Sequence, residues 1–223
     1  MSDSTPHRAA IEHLVRKAVY ARLGVSAPQA SNAPNPLLVN ISARHCHLTP
    51  EAVEALFGKG YELTPMKWLY QEEQYAAKET VTLIGPRKRV IGNMRILGPC
   101  RNLNQVELSY TDSISLGFGI PLRSSGDIEG TPGAMLMGPK GFFEMDAGII
   151  RALRHVHMNE EDAAFYNVKA GDFMKLKIGG PCAITLDQLL VRVDPSFKLE
   201  VHIDTDEGNA CNLGPDTPVE LIK

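Results

Sequence analysis

One short block occurs twice in this 223-residue chain. Arg44-His45-Cys46-His47-Leu48-Thr49-Pro50-Glu51 returns 110 positions later as Arg154-His155-Val156-His157-Met158-Asn159-Glu160-Glu161. A second, weaker pair repeats at an offset of 95: Val106-Glu107-Leu108 resembles Val201-His202-Ile203. Two related units that differ in loop length explain both offsets. The chain must therefore fold as two similar bodies. The repeated blocks read as strand ends leading into short capped helices.

From Leu37 onward the hydrophobic period is two. Val39, Ile41, Ala43, His45 and His47 fall on one face of a strand, and Leu38, Asn40, Ser42, Arg44 and Cys46 on the other. Further strands are expected over 80–84, 90–97, 105–111, 134–137, 173–178, 189–193 and 199–205. The 19 Gly and 15 Pro interrupt nearly every interval, which favours short elements. Helices are expected over 49–57 and 159–166, opened by Thr49 and Asn159 as caps. The expected class is mainly β: two small β-barrels related by internal duplication, capped by short α-helices.

Residues 5–24 carry a different signal. Ile11, Leu14, Val15, Ala18, Val19 and Leu23 follow helical spacing, with Pro6 in the first turn and Gly24 as a stop. The segment 25–36 is rich in Ala, Pro, Ser and Asn and reads as a linker. The region 1–24 is thus an amphipathic N-terminal helix on a tether. Its apolar face suits docking on its own domain, a groove on another protein, or self-association into a homo-oligomer.

Basic and acidic residues nearly balance, 23 against 26, which argues against a generic polyanion binder such as a nucleic-acid protein. No stretch approaches the roughly 18 apolar residues of a membrane-spanning helix. The four cysteines form no C-x-x-C pair, and no secretory h-region is present, so a reducing compartment is expected.

An H-x-H on a strand places two imidazoles on one face, close enough to share a metal ion. Glu107 and His202 alternate with apolar neighbours and supply a third group for each unit. The candidate sites are His45, His47 and Glu107, and His155, His157 and His202. Three protein ligands leave a position for water or substrate, as catalytic zinc sites do. The second site reads equally as a structural staple. Arg101, six residues before Glu107 across a Gly-Pro turn, is either a phosphate clamp or a solvated surface arginine. Ser42, Ser124 and Ser125 have no general base beside them and read as polar strand or loop residues.

These segments together resemble the PduL-type phosphate acyltransferases, or phosphate propanoyltransferases. The resemblance rests on SARHCHLT, QYAAKETVTLIGPR, RILGPCRNLNQVELSYTD, RHVHM and VHIDTDEGNA, and covers residues 37–223. It implies reversible conversion of acyl-CoA plus phosphate into acyl phosphate plus CoA. Two Zn2+ ions are implied near an interface between two barrels. His45, His47 and Glu107 match the first zinc site, His155, His157 and His202 the second, and Arg101 the phosphate-contacting arginine. Ile41, Ser42, Ala43, Lys88, Arg95 and Asn209 match positions that hold coenzyme A. An interleaved arrangement is also implied, with 37–45 and 153–223 forming one barrel and 46–152 the other. Cys46 stands where the family has an apolar residue, and strand alternation turns it away from the metal. Residues 1–24 look like the family's encapsulation peptides, which implies shell or core proteins of a bacterial microcompartment as partners. The lumen of that compartment, or the cytoplasm, is the implied location. The chemistry follows: zinc favours the thiolate of CoA, and Arg101 offsets charge on the acyl phosphate. A zinc hydrolase of thioesters or phosphate esters, and a non-catalytic metal-binding scaffold, are the competing readings of the same residues.

Overall fold

The computed structural model describes residue 22 and residues 35–223. Apart from Arg22, the expected N-terminal helix lies outside the described residues, as do all but the last two residues of the linker. The strands are interspersed with short helices. They are β1 (Leu38–Ser42), β2 (His45–His47), β3 (Pro65–Trp68), β4 (Tyr75–Ile84), β5 (Val90–Gly98), β6 (Gln105–Glu107), β7 (Leu122–Arg123), β8 (Ala134–Met137), β9 (Phe142–Met145) and β10 (Ile149–Ala152). After these come β11 (His155–Met158), β12 (Phe173–Ile178), β13 (Ile184–Val193), β14 (Glu200–Asp204) and β15 (Val219–Ile222). The helices are α1 (Pro50–Phe57), α2 (Tyr110–Leu116), α3 (Glu160–Tyr166) and α4 (Thr205–Ala210).

The chain is mainly β, and its two sheets curl into half-barrels. One sheet runs β1-β14-β11-β13-β12-β15. The other runs β7-β10-β6-β2-β5-β4-β8-β9, with β3 added alongside β4. Each sheet covers its own apolar core. Leu48, Leu56, Leu83, Met94, Ile96 and Leu136 centre one, and Val156, Met158, Leu176, Val191 and Val201 the other. Alternation is clearest in β12, where Met174, Leu176 and Ile178 are buried and the residues between them exposed. Full burial of each such side chain stabilises the fold by about 1.5–3 kcal/mol.

The expected continuous strand over 37–47 is corrected. β1 ends at Ser42, Ala43 and Arg44 leave the strand, and β2 starts at His45 in the other sheet. The break has a local cause. β1 runs parallel to β14 with Ser42 opposite Asp204, where β14 stops and α4 begins, so the ladder has no further partner. The chain then crosses to a slot between β5 and β6. His45 and His47 still share a face, but no longer the face of Val39 and Ile41.

The helices over 49–57 and 159–166 form as expected. Thr49 Oγ1 accepts from the Ala52 amide at 3.2 Å, and Asn159 Oδ1 from the Asp162 amide at 2.9 Å. The strands expected over 105–111 and 199–205 are shorter than expected, because each turns into a helix. Ser109 caps α2, and Asp204 caps α4 through a capping box with Glu207. The duplication is therefore deeper than its sequence trace: each unit holds two strand–helix steps.

Gly148 deserves its place for steric reasons. Its φ is +118°, and an added Cβ would stand 2.3 Å from the Asn104 carbonyl oxygen. That close approach lets the Gly148 carbonyl accept from the Val106 amide at 2.8 Å, which seats β10 beside β6.

Candidate metal centres and anion cavity

The two H-x-H strands occupy matching places in their sheets. β2 is antiparallel to β6, with His45 opposite Glu107, and parallel to β5. β11 is antiparallel to β14, with His155 opposite His202, and parallel to β13. This register brings the third group of each set beside its histidines although it lies tens of residues away in sequence. His45, His47 and Glu107 offer ligand atoms that all lie within 4.8 Å of one another, and so do His155, His157 and His202. The six residues face one cavity of about 440 Å³ between the sheets.

Ring orientation is set by the backbone. His45 Nδ1 stands 2.8 Å from the Ala43 carbonyl oxygen, and His155 Nδ1 stands 2.8 Å from the Leu153 carbonyl oxygen. A proton on each Nδ1 donates there, which leaves the Nε2 lone pair for a ligand. His45 Nε2 lies 3.4 Å from Glu107 Oε2. In the second set the ring centroids are 4.8 to 4.9 Å apart. Both ring nitrogens of His157 are buried without a hydrogen-bond partner. His202 Nε2 lies 3.1 Å from Glu200 Oε2.

Buried nitrogens with no partner cost free energy unless something binds them. The protonated form is disfavoured here as well. Burial, then the neighbouring imidazoles and arginines, pushes His47 and His157 down to about 2, and burial followed by His202 pushes His155 down to about 4. Neutral imidazoles with converging lone pairs are the form that a metal ion takes. The donor set, His₂Glu and His₃, suits zinc. Cys46 has no part in it: fully buried in the first core, its thiol pKa is pushed up by desolvation.

Arg101 lines the same cavity as these groups, as do Ile41, Ser42, Ala43 and Arg95. Lys88 and Asn209 do not. Lys88 occupies the β4–β5 turn with φ +60°, seven residues before Arg95 and outside the strand that carries it. Asn209 is exposed on α4, next to Gly208, which packs against Ile41.

Several residues in the cavity wall or directly behind it carry no mark in the sequence. Arg192 sits opposite His157 in the ladder, and its guanidinium carbon lies 5.8 Å from the Phe197 ring centroid. Burial lowers the pKa of both Arg101 and Arg192, and the Glu107 carboxylate opposes that shift in each. Gln105, fully buried, donates from Nε2 to Glu107 Oε1 at 2.7 Å and to Ser125 Oγ at 2.8 Å. Arg101 Nη1 reaches the same Ser125 oxygen at 3.4 Å. Phe197 stacks on His157 with centroids 4.2 Å apart. Only Gln105 had a usable signal, its place two residues before Glu107, matched by Glu200 two residues before His202.

A family description of phosphate propanoyltransferases matches residues 38–214. The chain belongs to this family. A phosphate propanoyltransferase of Planctopirus limnophila is 56% identical over 223 residues, covering 97% of this chain and 91% of its own. One from Thermotoga maritima is 48% identical over 188 residues, covering 84% and 89% respectively. One from Lachnoclostridium phytofermentans is 51% identical over 175 residues, covering 78% and 82%. Family membership makes the chain a phosphate acyltransferase. It also gives the paired arginines of the cavity a chemical context, because phosphate acyl transfer handles an anion that a guanidinium fork fits.

Proposed function

We propose that this chain interconverts acyl-CoA plus phosphate with acyl phosphate plus CoA, acting on propanoyl or acetyl groups. His45, His47 and Glu107 hold one zinc ion, and His155, His157 and His202 hold a second. The observation that carries this reading is the convergence of two three-ligand sets and two half-buried arginines on one cavity. A zinc ion there supplies Lewis acidity that favours the thiolate of CoA over the thiol.

Arg101 and Arg192 bind phosphate, or the phosphate end of acyl phosphate, through charge-assisted N–H bonds. Ser125 and Gln105 fix Arg101 and Glu107 in relation to each other. In one direction a phosphate oxygen bonds to the thioester carbonyl carbon, the carbon–sulfur bond breaks, and CoA leaves as thiolate. In the other, the thiolate attacks the acyl phosphate, and phosphate leaves. The arginines offset charge that develops on the carbonyl and phosphate oxygens. Holding two anionic partners together supplies much of the acceleration. Ile41, Ser42, Ala43 and Arg95 line the approach to His45 and take CoA, with Lys88 and Asn209 further out along it.

The test is CoA-dependent formation of acyl phosphate before and after treatment with a chelator. Activity lost with metal and regained on adding zinc supports the reading, whereas full turnover by metal-free protein would refute it. Arg101→Ala is expected to lower kcat/KM for phosphate 10²–10³-fold. Thioester cleavage with water as acceptor, independent of phosphate, would favour the zinc hydrolase instead.

Residues 5–24 are proposed to direct the enzyme into a bacterial microcompartment through shell or core proteins. Deleting residues 1–24 should leave turnover intact and end co-purification with shells. Unchanged co-purification would count against this.

A further inference from the structure

Glu200 is a carboxylate that the proposed reaction does not use, and it is only 3% exposed. A buried carboxylate is costly unless it is compensated. Three elements converge to hold this one. Asn40 Nδ2, on β1, donates to Oε1 at 3.2 Å. Gln71 Nε2, in the segment between β3 and β4, donates to Oε2 at 2.7 Å. Gln71 is itself fixed at both ends of its amide, donating to the Lys198 carbonyl at 3.1 Å and accepting from the Lys198 amide at 3.2 Å. The remaining polar neighbour of Oε2 is His202 Nε2 at 3.1 Å.

The duplication shows what stands at this place in the other unit. Glu200 is opposite His157 in the ladder, as Gln105 is opposite His47. In each unit the side chain two residues before the third ligand touches that ligand: Gln105 touches Glu107, and Glu200 touches His202. The pairs are Gln with Glu in the first unit and Glu with His in the second. Each unit therefore carries one carboxylate at its site. In the first that carboxylate is a ligand, and in the second it is the neighbour of one. A dication among three neutral imidazoles has no counter-charge in its own ligand set, and at low dielectric an uncompensated charge is expensive.

We propose that Glu200 is a positioning residue for the second metal ion: it restrains His202 and supplies the negative charge that the His155–His157–His202 set lacks. Asn40 and Gln71 hold Glu200 in place for that task, so β1 and the 69–74 segment contribute to the second site without touching the metal. This inference rests on the metal reading above.

The experiment measures zinc per chain and its release from the full-length holoenzyme under graded chelator, for wild type and Glu200→Gln, with Tm as a check on folding. The expected result is that Glu200→Gln holds the first equivalent as wild type does and holds the second about 10–100-fold more weakly. Glu200→Asp should recover part of the loss. A Glu200→Gln enzyme that retains both equivalents like wild type overturns the inference while leaving the metal reading standing. A wild-type enzyme that binds no second equivalent overturns both. Should Glu200→Gln fail to fold, Gln71→Ala decides, because it loosens the carboxylate and keeps its charge. A weakened second equivalent with the first unchanged upholds the proposal, and two unchanged equivalents overturn it.

Discussion

His47, His155 and His157 titrate against their burial. In the unfolded chain each takes a proton near pH 6.5, whereas in the folded chain desolvation holds them to about 2, 4 and 2. Below about pH 6.5 the unfolded state binds more protons than the folded one, so stability rises with pH in that range and is lost as pH falls. For chain stripped of metal, each group contributes a slope of up to about 1.4 kcal/mol per pH unit. Thermal melts at pH 7 and pH 5 are expected to show a clear drop in Tm at the lower pH. A Tm that stays flat across that interval would contradict the burial of these rings. Residue identity was the most legible level. The H-x-H pairs, Glu107 and His202 declare themselves by type and spacing, whereas Arg101 stays open between a phosphate clamp and a surface arginine until the family resemblance is drawn. Arg192 does not declare itself, because its only link to His157 is a cross-strand register between segments that the sequence does not connect.

Elements were legible where a cap precedes an apolar face. Thr49 and Asn159 did this for α1 and α3. α2 and α4 escaped because strand alternation was read through their first residues, in the strands expected over 105–111 and 199–205. Their caps differ in strength. Ser109 accepts one bond, from the Asp112 amide at 3.2 Å. Asp204 accepts from the Glu207 amide at 2.8 Å, shares a capping box, and pairs with Arg151 at 2.7 Å. Ser109→Ala should cost about 1 kcal/mol. Asp204→Ala should cost about 3 kcal/mol, since it also strips the contact with half-buried Arg151. Denaturant titrations of the two variants test the order, and equal losses would show that the capping box adds nothing. The continuous strand expected over 37–47 failed for a different reason. Period-two alternation runs on through Ala43 and Arg44, and nothing local tells the chain to change sheets there.

Across the whole molecule the two sheets are joined by polar contacts as well as by chain crossings. Arg151 of β10 reaches Asp204 at 2.7 Å and Glu207 at 3.3 Å, and Arg154 reaches Glu207 at 2.7 Å. Arg44 meets Asp112 at 2.6 Å, and the Thr111 amide donates to Asp206 at 2.8 Å. Exposed pairs contribute little, but Asp204 and Glu207 are buried and depend on their partners. Arg151→Ala should therefore destabilise the fold by about 3–5 kcal/mol. It should also reduce turnover in the fraction that stays folded, because the two ligand sets keep their spacing only while the sheets stay locked. A variant with wild-type Tm would show that the junction does not depend on Arg151.

By itself the sequence determined which side chains could bind metal, that they came in two related sets, and that strand ends leading into short capped helices would carry them. These are properties of residue type and local period, set by covalent geometry and the two-residue repeat of an extended chain. Only the tertiary structure decided that both sets open on one cavity, that Arg192 and Glu200 belong to its walls, and that Gln105 backs Glu107 from the interior. It also decided that β1 and β2 part company at Ala43. Those outcomes depend on which strand takes which neighbour, and strand pairing is fixed by burial and hydrogen bonding across the whole chain rather than by any stretch of it.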